Sequence, residues 1–228
     1  MSIKKKIDRI WSDYNPIAKR RRKKLRQNLK NTTATFLCLN CIGGHIFHDL
    51  GLQFRSPTVN IMVFQPHFVK FVHNLESYLQ KDFVPFVDPA FPVPCARLGD
   101  IDIHFTHYKT LEEGISKWKS RTARMDKDNM FIFLTERDGL TYEEIKSLSS
   151  LKVRGILVFT AHNYPDIPYA LHIPKYEPDG EIGNILQKSM IDDHREYENY
   201  FDFVKWFNEA KGGNYDIRPY IKPSHLSQ

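Results

Sequence analysis

The chain has 228 residues, 41% of them hydrophobic and 13% aromatic, enough apolar material for one core of ordinary size, which excludes the disordered class. Its net charge of +6 is unevenly spread: residues 1–30 hold twelve of the 33 Lys and Arg against Asp8 and Asp13, which leaves 21 basic against 25 acidic side chains in the rest. No apolar run of about 18 residues exists, which excludes a membrane-spanning helix, and the charged N-terminus lacks the apolar stretch of a secretory signal.

Three cysteines, Cys38, Cys41 and Cys95, form an odd and sparse set. They point to a reducing, cytoplasmic compartment rather than a disulfide scaffold. The expected division is a basic N-terminal arm over residues 1–30 and a single α/β domain over residues 31–228. Within the arm, Leu25 and Leu29 lie among Lys19–Lys30 and Ile17 just before them, giving a basic helix with a thin apolar edge. Such a segment suits an anionic membrane surface and peripheral attachment at the inner face of the cell membrane. Nucleic acid is not expected as a partner, because the rest of the chain is acidic and shows no recognition motif.

After the arm, apolar runs at Ala34–Leu39, Val59–Phe64, Ile101–Phe105, Met130–Leu134 and Gly155–Phe159 read as strands. Several are continuous, as strands buried on both faces of a largely parallel sheet require. Ile101–Phe105 alternates, with Asp102 and His104 between apolar members, and reads as an edge strand. Pro66 suits the first turn of a helix with the stripe Phe68, Val69, Val72, Leu75, Leu79. Thr110 with Glu113, and Thr141 with Glu144, read as capping boxes. A C-terminal helix is expected near Ile191–Ala210, stopping at Gly212-Gly213. Phe83–Pro94, with four prolines, reads as a rigid loop, and Tyr164–Gly180 is also rich in proline. Strands alternating with helices predict a three-layer α/β/α fold with a mainly parallel, Rossmann-like sheet.

In open α/β sheets ligands bind beyond the carboxyl ends of the strands. Those ends supply Asn40-Cys41-Ile42-Gly43-Gly44-His45, then Thr106-His107-Tyr108, then Thr135-Glu136, then Thr160-Ala161-His162. A strand followed by Gly-Gly and a helix start lets backbone approach a phosphate or carbonyl oxygen. There Cys41 would feel the positive end of the helix dipole, which favours a thiolate, with His45 or His107 as base; the plainer reading is a tight turn with a buried thiol. Ser56 and Asn60 either bind sugar hydroxyls or cap a turn. Arg121 and Arg124, one helical turn apart before Asp128-Asn129, either clamp a diphosphate or serve the helix C-terminus. No metal is expected: Cys38-x-x-Cys41 leaves only Cys95 as a further soft ligand, and no Asp-x-Asp motif follows a strand. No cofactor is expected either.

The chain resembles a bacterial family catalogued as domain of unknown function 1919, whose members are often labelled exopolysaccharide or capsule biosynthesis proteins. The resemblance spans roughly residues 32–210. It rests on Asn40, Cys41, Gly43 and Gly44; on Leu50-Gly51-Leu52 leading to Ser56-Pro57-Thr58-Val59-Asn60; on Phe105 with His107-Tyr108; and on Trp118, Arg121 and Arg124 followed by Asp128-Asn129. It implies an α/β/α fold and a place in surface-polysaccharide loci, and it supplies no established catalytic residue.

Together these readings lead to the expectation of a bacterial surface-polysaccharide biosynthesis protein, a metal-independent transferase acting on a glycan from an activated sugar donor. Cys41, His107 and Glu136 are the candidate catalytic residues. Asn40, Gly43, Gly44, His45, Ser56, Asn60, Tyr108, Arg121, Arg124, Asn129 and His162 would bind substrate. One alternative is acyl transfer to a glycan through Cys41, with Asn40 and glycine amides as oxyanion donors. Another is a non-catalytic protein that binds a sugar nucleotide or a glycan.

Overall fold

The computed structural model describes residues 15–39 and 41–223. Helix α1 (Pro16–Asn28) comes first, capped by the Asn15 side chain, which accepts from the amides of Ile17 and Ala18. Strand β1 (Thr35–Cys38) leads into α2 (Ile42–Leu50), followed by α3 (Gln65–His73) and α4 (Leu75–Leu79). Strands β2 (Phe83–Phe86), β3 (Cys95–Leu98) and β4 (Ile101–His104) form a separate three-stranded antiparallel sheet. Helix α5 (Leu111–Thr122), strand β5 (Met130–Thr135), helix α6 (Tyr142–Ser147) and strands β6 (Gly155–Thr160) and β7 (Ala170–His172) follow, with α7 (Phe203–Glu209) near the end.

The main sheet has four parallel strands in the order β1-β5-β6-β7. Every residue of β1 and β6, and all but Met130 of β5, is buried, which is why these segments read as unbroken apolar runs. Helix α7 lays Trp206 and Phe207 against Phe131, with ring centroids 4.8 and 4.9 Å apart and near-perpendicular planes. This contact explains Gly155 at the start of β6: a β-carbon there would lie 2.7 Å from the Trp206 ring, far inside van der Waals contact. The capping box at Thr141 is complete, with Thr141 and Glu144 each accepting the other's amide. At Thr110 only half of it forms: Thr110 accepts from the Glu113 amide, while Glu113 turns to the Lys109 amide.

Several expectations change. Val59–Phe64 is not a strand; it starts in a turn and meets the small sheet through the Met62–His104 bridge and the Phe64–His104 ring contact. Ile101–Phe105 contributes β4, but to the small antiparallel sheet rather than the parallel one. The Phe83–Pro94 stretch is not wholly loop. Its first four residues form β2, an edge strand, where Pro85 is tolerated because an edge residue need not donate to a second neighbour. The C-terminal helix is confined to Phe203–Glu209, after a 3-10 turn at Glu196–Asn199.

The arm is part of the fold over its described length. Ala18 is fully buried and Leu29 nearly so, whereas Ile17 faces outward. Arg21 pairs with Asp49 at 2.9 Å and with Glu198, and Arg22 pairs with Asp193 at 3.1 Å. Arg26 donates to the carbonyls of His48 and Asp49 in the last turn of α2, where a cation is favoured by the unpaired carbonyls. Among the described residues no helix is long and apolar enough to cross a membrane.

Candidate functional site

At the carboxyl edge of β1 the chain turns through Cys41 into α2, whose N-cap Cys41 makes no side-chain cap bond. Two glycines shape this start differently. Gly43 sits against β1, where a β-carbon would come 3.2 Å from Cβ of Cys38. Gly44 faces Asn60, which holds a left-handed conformation (φ 65°) and brings Oδ1 to 3.4 Å from where a β-carbon would be. The Gly-Gly pair thus seats α2 between β1 and the 56–60 turn.

The sulfur of Cys41 lies 3.3 Å from Nε2 of His107, a residue 66 positions further on, in the turn after β4. Burial pushes the Cys41 thiol up from its ordinary value, while the charge of Arg195 pulls it back. Burial also pushes His45 down, to about 4, with Arg195, His48 and His107 adding to the effect and Asp49 opposing it. Cys41, His45, His107 and Arg195 therefore share one electropositive corner at the N-terminus of α2. Desolvation outweighs the cation, so the balance favours the thiol over the thiolate that the helix dipole alone would give. A neutral thiol hydrogen-bonded to an imidazole can still attack, because the ring takes the proton as the new bond forms.

A second cluster occupies the ends of β5 and β6. Glu136 is 5% exposed. Its Oε2 accepts from the amides of Ala161 (2.7 Å) and His162 (3.0 Å), and its Oε1 from His162 Nδ1 (2.9 Å) and the Tyr164 hydroxyl (2.6 Å). Four donors fill the four lone-pair directions of one carboxylate. Glu136 is thus occupied in holding His162, whose side chain is about half exposed, and it is His162 that faces outward. Burial and the neighbouring Glu136 carboxylate both push the Tyr164 phenol up, keeping it a donor.

The remaining candidates lie as follows. Arg121 is buried and donates to the Val59 carbonyl (2.6 Å) and the Tyr108 hydroxyl (2.5 Å), its guanidinium over the Phe54 ring. Arg124 donates to the Phe54 carbonyl and to Ser120. Both arginines hold the 54–60 segment in place, and Arg121 lies in the last turn of α5. Ser56 and Thr58 are buried and bonded to each other, with Thr58 accepting the Cys38 amide. Ser56 is therefore part of the scaffold under β1 rather than a surface for sugar. Asn129 precedes β5, at the opposite edge of the sheet, where it bonds Asn31, Thr33 and Arg154; it does not belong with Cys41. Asn40 lies outside the described residues. Among the described residues no group of three or more His, Cys, Asp or Glu is arranged to hold a metal ion.

Two members of these clusters were not foreseen. Arg195 follows a turn-rich stretch that sequence periodicity assigns to a helix, so no spacing relates it to Cys41. Tyr164 stands at the start of a proline-rich segment, and its one hint is its place two residues after His162.

The sequence model of the family described as "Domain of unknown function (DUF1919)" matches residues 14–208. An uncharacterized protein of Haemophilus influenzae (strain Rd) is 36% identical over 186 residues, covering 82% of this chain and 89% of that protein. The match begins inside the basic arm, at the residue before the Asn15 cap of α1.

Proposed function

The chain belongs to the DUF1919 family, and on that footing we propose a transferase of bacterial surface-polysaccharide assembly in which Cys41 carries the transferred acyl group. The polysaccharide setting rests on the family resemblance. The four parallel strands are read in the same proposal as the centre of a three-layer, Rossmann-like arrangement, with the site on the cytoplasmic side.

The observation that supports a thiol nucleophile is the 3.3 Å contact between Cys41 Sγ and His107 Nε2 at the N-terminus of a nine-residue helix. Sulfur attacks the acyl carbonyl of the donor while His107 takes the thiol proton. The negative charge on the carbonyl oxygen develops beside the positive end of α2 and Arg195. Collapse expels the donor's leaving group, which takes the proton from His107, and leaves a thioester on Cys41. A glycan hydroxyl then attacks the thioester, gives its proton to His107, and departs as an ester as the proton returns to sulfur.

Glycosyl transfer from an activated sugar is the second reading, supported by Glu136 and His162: a carboxylate that orients an exposed imidazole is a suitable base for an acceptor hydroxyl. It is placed second because Arg121 and Arg124, which would have gripped the diphosphate, are bonded to backbone.

Incubation with labelled acyl-coenzyme A donors should leave a hydroxylamine-labile adduct on Cys41, detected by mass spectrometry. Cys41→Ala should abolish it, and His107→Ala should slow its formation by roughly 10²-fold or more. Turnover of a sugar nucleotide by Cys41→Ala at the wild-type rate would sink acyl transfer in favour of the second reading.

A further inference from the structure

The inner arginines of the basic arm fasten it to the fold. What remains outward is a defined surface. Arg20, Lys23 and Lys24 are exposed on α1, and Ile17 in its first turn is 53% exposed. Ile17, Arg20 and Lys24 recur at helical spacing and so share one stripe.

A second segment meets this stripe. Asn15 donates to the Ile191 carbonyl at 2.8 Å, and Arg21 donates to the Asp192 carbonyl at 3.0 Å. These bonds hold the Met190-Ile191 turn against the first two turns of α1. Met190 and Ile191 are 86% and 70% exposed, two adjacent large apolar side chains presented to solvent. The acidic residues that follow are already engaged: Asp193 is buried between Arg22 and Lys188, and Asp192 is bonded to His194. The turn is therefore an apolar prong beside a row of cations, with its own carboxylates turned to partners.

We propose that this surface docks on an anionic lipid bilayer, with Ile17, Met190 and Ile191 entering the headgroup region and Arg20, Lys23 and Lys24 lying against lipid phosphates. A solvated basic helix has no use for adjacent exposed apolar side chains. A polyanion such as RNA would meet the cations but would not repay burial of Met190 and Ile191. An interface with both features matches an anionic bilayer in charge and in polarity profile. The proposal does not depend on the acyl-transfer reading, since none of these six residues belongs to the Cys41 cluster.

The test is co-sedimentation of the full chain with vesicles of phosphatidylcholine alone, or of phosphatidylcholine with phosphatidylglycerol. Binding is expected to the mixed vesicles and not to the neutral ones, and to weaken as salt is raised. Arg20→Gln/Lys23→Gln/Lys24→Gln should lower the partition coefficient about a hundredfold, from roughly 1 kcal/mol per charge. Met190→Ser/Ile191→Ser should lower it about tenfold at least, from partial burial of two apolar side chains. Both variants alter only exposed side chains and should keep the wild-type unfolding midpoint. Failure of the wild-type chain to bind mixed vesicles overturns the proposal. So does full binding by the Met190/Ile191 variant when the charge variant has lost it, which would make the surface a polyanion face without insertion.

Discussion

The two edges of the parallel sheet use polar residues in opposite ways. At the amino edge Asn31 and Asn129 exchange amide hydrogen bonds at 2.9 and 2.7 Å, and Arg154 adds one to Asn129 while donating twice to the Ala210 carbonyl. Asn208 then accepts from the amides of Lys30 and Asn31 and donates to the Asn28 carbonyl. Those groups satisfy one another and bind α1, β5 and α7 together. At the carboxyl edge Cys41, His45, His107 and Arg195 gather cationic and nucleophilic groups, and the pKa values of Cys41 and His45 are displaced. Closed networks stabilise a fold, whereas displaced titrations mark where a fold holds groups ready for something else.

That contrast can be broken most forcefully at the amino edge. Asn129→Ala should cost about 3 kcal/mol, because it deletes a buried side chain that bonds Asn31, Thr33 and Arg154 at once. The melting temperature should fall roughly 6 to 12 °C, while alkylation of Cys41 by iodoacetamide keeps its wild-type rate. A changed alkylation rate would mean that the two edges are coupled.

A smaller effect should appear at the carboxyl edge. His45 is held down to about 4 against an ordinary 6.5, so the folded state keeps it neutral where the unfolded chain would protonate it. The associated stability is complete above pH 6.5 and is lost as pH falls toward 4. Allowing for partial solvent contact, the loss is about 2 kcal/mol. Thermal melts from pH 7.5 to 4.5 should therefore show a shallower decline for His45→Gln than for the wild type; parallel declines would place the acid lability elsewhere. The smallest change in stability, no more than about 1 kcal/mol, is expected for Arg195→Gln. Its mark is electrostatic: removing the cation should raise both the Cys41 and the His45 titrations, read by alkylation rate against pH and by ring-proton NMR. No movement in either would detach Arg195 from the corner.

The same particulars show what could be read from sequence. β1, β5 and β6 were legible because strands buried on both faces leave continuous apolar runs, and the Thr141 box because its chemistry is local. Of the small sheet β4 was legible as an edge strand from its alternation, but β2 was not, since Pro85 hides it, and β7 is too short at three residues to leave a pattern. Cys41 and His107 were each singled out as following a strand, although β4 belongs to a different sheet from β1. The roles of Arg121 and Glu136 could not be read, because residue type announces a charge but not which backbone groups will saturate it. Arg195 lies where the apolar pattern reads as helix but the chain is irregular, so its position could not be read.

Helix α2 has Cys41 at one end and the Arg26 guanidinium on the carbonyls of the other. The basic segment is thus not a portable tag. Grafting residues 15–30 onto another protein would carry cations but not the prong, and exchanging them between relatives would demand matched changes at 48–49 and 191–198. Sequence divergence in this family should therefore be constrained jointly at these three stretches, as in a single inherited block.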